Sequence, residues 1–152
     1  MITVMKHAEE VLIAGGVRRV FFVSSNPADR HLLQLAIEEM GLRLDVQFFE
    51  NGEALHEYLE KPRTVIDKGD VFFVDYFLPR QSGLNLLGDL REKYALAHQA
   101  VFMMVPALFE TILQQSYVAG ANCCVLMPVD FFELISTLKG VLGYWDKMLR
   151  VQ

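Results

Sequence analysis

The sequence lacks long hydrophobic runs, well-spaced cysteines and an excess of basic residues. Its longest apolar stretches fall far short of the roughly 20 residues that a membrane span needs. The only cysteines, Cys123 and Cys124, are adjacent, which suits neither an ordinary disulfide nor a metal site. No GxGxxG motif, P-loop or nucleophile elbow is present. These absences favour a cytoplasmic protein in a reducing environment, without a bound cofactor or metal.

The charge balance is acidic, with 14 Lys and Arg residues against 19 Asp and Glu residues and a net charge of −5. Such a balance argues against partners with phosphate backbones or anionic membrane surfaces. Hydrophobic residues make up 53% of the 152 positions, which is enough to build a sizeable core. We therefore expect one soluble domain that binds neither nucleic acid nor membrane.

No repeat, low-complexity tract or linker divides the chain. We predict an N-terminal extension over residues 1–16 and a single domain over residues 17–150. Apolar residues within Met1–Ala14 follow a loosely helical spacing that Gly15 and Gly16 would end. A partly ordered tail is the alternative for this segment.

From Arg18 onward, short apolar runs alternate with stretches of helical periodicity. Several runs are apolar almost throughout, as expected for strands of a parallel sheet that is covered on both faces. The pattern predicts an α/β fold, a doubly wound five-stranded parallel sheet. The predicted strands are Arg19–Val23, Leu44–Phe49, Val71–Asp75, Ala100–Val105 and Cys123–Leu126; the predicted helices are Pro27–Met40, Gly52–Glu60, Leu84–Tyr94, Leu108–Ala119 and Phe131–Leu149.

Helix-end signals support this alternation. Asn26 is a good N-cap, Pro27 suits the first helical position, and Asp29 complements the helix dipole. Gly41 and Gly120 stand where helices are expected to stop.

Ligands of such sheets bind outside the carboxyl ends of the strands. Asp75 ends the third predicted strand, and the segment Val71–Leu87 (VFFVDYFLPRQSGLNLL) resembles the phosphoacceptor stretch of response-regulator receiver domains. Asp75, Pro79 and Gly83 match the family's spacing of Asp, Pro and Gly. The NPAD at Asn26–Asp29 and the NGEAL at Asn51–Leu55 resemble the small receivers that pair with bacterial phytochrome-type kinases. The resemblance runs from about Arg18 to Trp145 and implies the flavodoxin-like strand order 2-1-3-4-5.

The resemblance also shows which reactive residues this chain has replaced. Working receivers hold Mg²⁺ with the phosphoacceptor Asp and with acidic residues after strand one, and they contact the phosphoryl group with a hydroxyl and a Lys. The equivalent positions here are Ser24 and Ser25, Val105, and Met127, while Cys124 replaces the aromatic switch residue. Mg²⁺ needs oxygen ligands, and phosphoryl transfer needs charge neutralisation. We therefore expect a pseudo-receiver that signals by protein–protein interaction and is not an enzyme.

Alternatives remain open for the surviving residues. Three roles are open for Asp75. It is a phosphoacceptor that still takes a phosphoryl group from a histidine kinase with Mg²⁺, or a carboxylate that binds a ligand, or a strand-end Asp that hydrogen-bonds to the next loop. Ser24, Ser25 and Asn26 precede a helix N-terminus, which either holds an anion or small ligand or is simply capped.

The last two helices are more apolar than one buried stripe requires. Exposed apolar surface of this kind usually marks a contact with a partner. We predict a homodimer through helix four, strand five and helix five, with Leu113, Tyr117, Leu134 and Val141 on the dimer surface. The expected partners are proteins, a sensor histidine kinase among them.

Overall fold

A computed structural model describes residues 16–150, and the extension predicted for residues 1–16 lies outside that range apart from Gly16. Strands and helices alternate along the described chain. The strands are β1 Arg19–Val23, β2 Asp45–Phe49, β3 Asp70–Asp75, β4 Ala100–Val105 and β5 Cys123–Leu126; the helices are α1 Pro27–Met40, α2 Gly52–Leu59, α3 Gly83–Arg91, α4 Glu110–Ala119 and α5 Phe131–Arg150.

The strands form one five-stranded sheet in the order β2-β1-β3-β4-β5. Every neighbouring pair is parallel, which confirms the predicted fold and strand order. In the register, Val23 pairs with Val74, and Asp75 pairs with Met104. The carboxyl ends of the strands therefore lie along one edge of the sheet, which we call the carboxyl edge.

The inner positions of the central strands are apolar because each face of the sheet is covered by helices. Along β1, Val20 and Phe22 face one core, while Phe21 and Val23 face the other. The first core includes side chains from α1 and α5, and the second includes side chains from α2 and α3. Because both faces are buried, these strands lack the alternation of apolar and polar residues that marks a strand with one exposed face.

The predicted helix signals act as expected at both ends of α1. Asn26 accepts hydrogen bonds from the backbone N–H groups of Ala28 and Asp29 through its side-chain oxygen. Gly41 ends the helix in the left-handed region, with φ of 69°, and Gly120 ends α4 with φ of 109°. Both glycines occupy conformations that other residues rarely adopt.

Other helix ends differ from the prediction by up to three residues. α3 ends at Arg91 and not at Tyr94, and the chain then turns through Ala95, whose φ is 55°. α4 begins at Glu110 and not at Leu108, because Phe109 is still extended, with φ of −74° and ψ of 138°. In the described part of the chain, no helix is long and apolar enough to cross a membrane.

Candidate functional site

The carboxyl edge holds a cleft of about 220 Å³ between the loops that follow β1, β3, β4 and β5. Its lining contains the candidate residues Ser25, Asp75, Val105 and Met127, which are distant in sequence. The parallel register brings them together at the carboxyl ends of the strands, where ligands of such sheets are expected to bind. The full lining is Ser25, Asn26, Asp29, Asp75, Phe77, Met104, Val105, Pro106 and Met127.

The serine pair after β1 divides into a buried and an exposed residue. Ser24 is fully buried and its hydroxyl hydrogen-bonds the Asp75 carboxylate, while the Asn26 N–H donates to the same Ser24 oxygen at 3.4 Å. Ser25 is exposed at the mouth of the cleft. Ser24 therefore supports Asp75, and Ser25 is the serine of the pair that lines the cleft.

The N-terminus of α1 is already capped. The Asn26 side-chain oxygen accepts from Ala28 N–H at 2.9 Å and from Asp29 N–H at 3.4 Å. Two of the amides that would bind an anion are thus partnered within the chain. This geometry accounts for Asn26 as a cap without any ligand.

Asp75 lies at the floor of the cleft and is partly buried. Burial raises the pKa of Asp75 from 3.8 to about 6; the Ser24 hydrogen bond lowers it, and the nearby Asp29 carboxylate raises it further. No basic side chain is among the described residues that line the cleft. The site therefore disfavours negative charge, since it supplies a hydroxyl but no counter-ion.

The opposite wall of the cleft is apolar. Val105 is buried at the end of β4, and Met127 is half-buried after β5. Neither side chain carries a hydrogen-bond donor or a charge, in contrast to the hydroxyl and the Lys expected in a working receiver. Cys124, the predicted equivalent of the family's switch residue, is half-buried against the core, and its backbone N–H donates to the Tyr117 hydroxyl at 3.3 Å.

Gly83 has a steric role beside Asp75. A Cβ atom at this position would lie 2.1 Å from the Asp75 carbonyl oxygen, which is too close for any side chain. The Gly83 N–H donates to the Tyr76 carbonyl at 3.1 Å, which closes the loop after β3. The glycine in the motif is therefore required by the close approach of α3 to the end of β3.

Asp29 and Phe77 were missed by sequence reasoning as residues of the site. Asp29 was expected only to complement the dipole of α1, yet its carboxylate lines the cleft and acts on Asp75. Its position in the first turn of a helix that starts at the carboxyl edge was the available signal. Phe77 follows Asp75 by two residues and carried no motif of its own.

The described lining of the cleft contains two carboxylates, Asp75 and Asp29, and its remaining side-chain oxygens are neutral. Within residues 16–150, no group of three or more His, Cys, Asp or Glu side chains could hold a metal ion. A site with two carboxylates holds Mg²⁺ only together with water or phosphate oxygens.

The predicted dimer surface needs one correction. Leu134 is only 2% exposed and packs in the first core, so its side chain is not available to a partner. It occupies the inward face of α5, which the apolar pattern alone did not separate from the outward face. Tyr117 is half-exposed, whereas Leu113 and Val141 are partly buried. Other exposed apolar side chains on these elements are Val118, Leu126, Phe132, Tyr144 and Met148.

Several solved structures of response regulators resemble this chain over most of its length. A solved structure of a phosphorylated cyanobacterial phytochrome response regulator, RcpA, is 22% identical and has a TM-score of 0.74, with 85% of this chain and 94% of that chain covered. A response regulator in red light signalling of R. palustris is 17% identical, with the same TM-score and coverage. The bacteriophytochrome response regulator AtBRR is 27% identical, with a TM-score of 0.66 over 84% of this chain and 93% of its own. No curated protein matches the chain.

The family model named response regulator receiver domain matches residues 20–139, which include the whole cleft and nearly all of the sheet. Receiver domains are signalling modules of two-component systems. Phytochrome-associated response regulators are among the structures that this chain resembles. The chain therefore belongs to the response regulator receiver family.

Proposed function

We propose that this protein is a degenerate receiver that signals by binding other proteins, without phosphorylation of Asp75 and without enzymatic activity. The observation that carries this proposal is the composition of the cleft around Asp75. Val105 and Met127 line the same cleft as Asp75, and neither supplies the hydroxyl or the cation that phosphoryl transfer needs. The chain acts in the cytoplasm, and a sensor histidine kinase is one of the protein partners that we propose.

Charge is the physical reason that phosphorylation is disfavoured. The pKa of Asp75 is already raised to about 6 by burial and by Asp29. A phosphoryl group on Asp75 would place about −1.5 to −2 charges in the same cleft. Among the described residues of the lining, no basic side chain offsets that charge.

The test is the intact mass of the protein after incubation with a small acyl-phosphate donor, with and without Mg²⁺. An ordinary receiver labelled in parallel shows that the conditions work, and Asp75→Asn is the matched control. We expect no phosphoryl adduct on this chain. A metal-dependent adduct that disappears in D75N would establish the alternative, a working receiver phosphorylated on Asp75.

We also propose that the chain forms a homodimer through α4, β5 and α5. The support is exposed apolar surface on these elements, including Tyr117, Val118 and Tyr144. Sedimentation equilibrium at tens of micromolar should show a dimer that Val118→Glu weakens. Val65→Glu, at an exposed position outside these elements, is the matched control. A monomer under these conditions would contradict the dimer.

The remaining alternative is an anion or small-ligand sensor at Ser24–Asn26. Two observations oppose an anion there: Asn26 caps the helix, and the carboxylates of Asp29 and Asp75 line the same cleft. A shift in melting temperature with phosphate-like anions would favour the sensor.

A further inference from the structure

Exposed apolar side chains lie on the loops and the first helical turn that follow the strands at the carboxyl edge, and one of them, Phe77, lines the cleft. The loops after β3, β4 and β5 and the first turn of α5 contribute them, and Val129 and Phe132 are among the most exposed hydrophobic residues of the described chain. We call this set the rim: Phe77, Leu108, Phe109, Val129 and Phe132. Single exposed apolar residues need no explanation, but a group of them on the loops of one sheet edge indicates a contact surface.

Inside the rim, the cleft combines apolar walls with an acidic floor. Val105, Pro106 and Met127 form walls without charge, while Asp75 and Asp29 supply two carboxylates. This combination matches the shape of a lysine or arginine side chain, which has an apolar stem and a cationic end. A volume of about 220 Å³ is enough to admit one such side chain.

The charges around the carboxyl edge point to the same kind of occupant. Two basic residues of this edge are already engaged: Arg30 donates to the Ser24 carbonyl at 2.6 Å, and Arg80 pairs with Glu53 at 2.6 Å. Acidic residues outnumber them in the loops and first helical turns that follow the strands. These acidic residues are Asp29, Glu50, Glu53, Asp75, Glu110, Asp130 and Glu133.

We propose that the carboxyl edge binds a basic amphipathic segment of a partner protein, and that one lysine or arginine of this segment enters the cleft. The inference rests on the proposed function, in which this chain acts by protein binding. The cation pairs with Asp75 and Asp29, and its stem packs against Val105 and Met127. Apolar residues of the segment cover the rim and exclude water from the ion pair, which strengthens it.

Other occupants fit these features less well. An anion or a nucleic acid phosphate would meet the carboxylates of the cleft and the acidic edge. A metal ion would leave the rim without a function, and the described residues of the cleft offer it no group of three acidic, histidine or cysteine ligands. A partner with a basic and an apolar face satisfies both the charge and the exposed side chains.

The proposal is tested with a synthetic helical peptide of about four turns, with leucine on one face and lysine on the other. A matched peptide carries glutamate in place of each lysine. Fluorescence anisotropy of the labelled peptides measures Kd against the full chain. We expect saturable binding of the lysine peptide, and no binding of the glutamate peptide at the same concentrations.

Variants then locate the binding. Asp75→Asn and Asp29→Asn should each raise Kd by about tenfold, and Phe132→Ser should raise it by about fivefold. Asp45→Asn and Val65→Ser are matched controls at exposed positions away from the carboxyl edge, and they should leave Kd unchanged. Absent binding of the lysine peptide, equal binding of both peptides, or equal Kd values for wild type and D75N would overturn the proposal.

The two proposals fail in different experiments. Acyl-phosphate labelling of Asp75 together with intact peptide binding would remove the phosphorylation-independent function and leave the cation-binding cleft. Absent labelling together with absent peptide binding would remove the cleft proposal and leave a degenerate receiver that contacts its partners elsewhere.

Discussion

Strand β3 begins and ends with an aspartate, and the two residues have opposite surroundings. Asp70 is fully buried at the first position and pairs with Arg19 through both carboxylate oxygens, at 2.8 Å and 2.5 Å. The backbone N–H of Asp67 donates to the same carboxylate at 2.9 Å. Asp75, at the last position, has one hydroxyl partner in Ser24 and a second carboxylate, Asp29, nearby.

The difference shows which end of the sheet stabilises the fold and which end is suited to binding. The ion pair with Asp70 raises the pKa of Arg19, which also donates to the Val65 carbonyl at 2.7 Å. Gln99 donates to the backbone carbonyls of Asp67 and Asp70, so the polar groups around this aspartate are satisfied. A carboxylate left without a counter-ion, as at Asp75, is typical of a binding site.

The largest expected effect on stability comes from breaking the ion pair between Asp70 and Arg19. Asp70→Asn removes the charge and leaves the Arg19 guanidinium partly buried without its counter-ion. We expect a loss of about 3 kcal/mol in the free energy of unfolding, measured by urea denaturation near neutral pH. Asp45→Asn, an exposed residue at the same end of the sheet, is the control and should change little. A loss below about 1 kcal/mol for D70N would contradict the distinction between the two aspartates.

Asp75→Asn should raise the free energy of unfolding, whereas D70N lowers it. The pKa of Asp75 is about 6 in the folded protein against an ordinary 3.8, so the folded state binds more protons between these values. The ionised carboxylate therefore lowers stability above about pH 6. Near pH 7.5, we expect D75N to be more stable than wild type by about 2 kcal/mol.

The pH dependence provides the check on this second prediction. The stability difference between D75N and wild type should shrink as the pH falls through about 6 towards 3.8, because wild type gains stability on protonation. Urea denaturation of both proteins across this range measures it. A difference that does not change with pH would show that Asp75 is not the titrating group.

The smallest effect on the free energy of unfolding is expected when Asp75 is given a counter-ion, as Asp70 has in Arg19. Met127→Lys adds an ammonium group at the wall of the cleft, which favours the ionised carboxylate and lowers its pKa. In the M127K background, the gain in stability that D75N brings near pH 7.5 should fall below about 1 kcal/mol. Val129→Lys adds the same charge outside the cleft lining and should leave that gain intact. An unchanged gain in M127K would mean that the new ammonium group does not interact with Asp75.

Local signals in the sequence predicted much of the fold. The apolar runs identified the strands because burial on both faces removes polar residues from a parallel strand. Asn26, Gly41 and Gly120 marked helix ends because capping and left-handed conformations restrict which residues can serve there. The bounds of α3 and α4 were less predictable, since Ala95 and Phe109 carry no strong turn signal.

The sequence by itself determined the parallel α/β architecture, which follows from periodicity and from residue type, both local properties of the chain. The resemblance to receiver domains added the prediction that Asp75 is the one reactive residue retained. Only the tertiary structure decided that Asp29 and Asp75 line one cleft, that Leu134 is buried, and that the rim side chains are exposed. Such contacts depend on how helices rotate against the sheet and on which loops meet at its edge, and no local pattern encodes either.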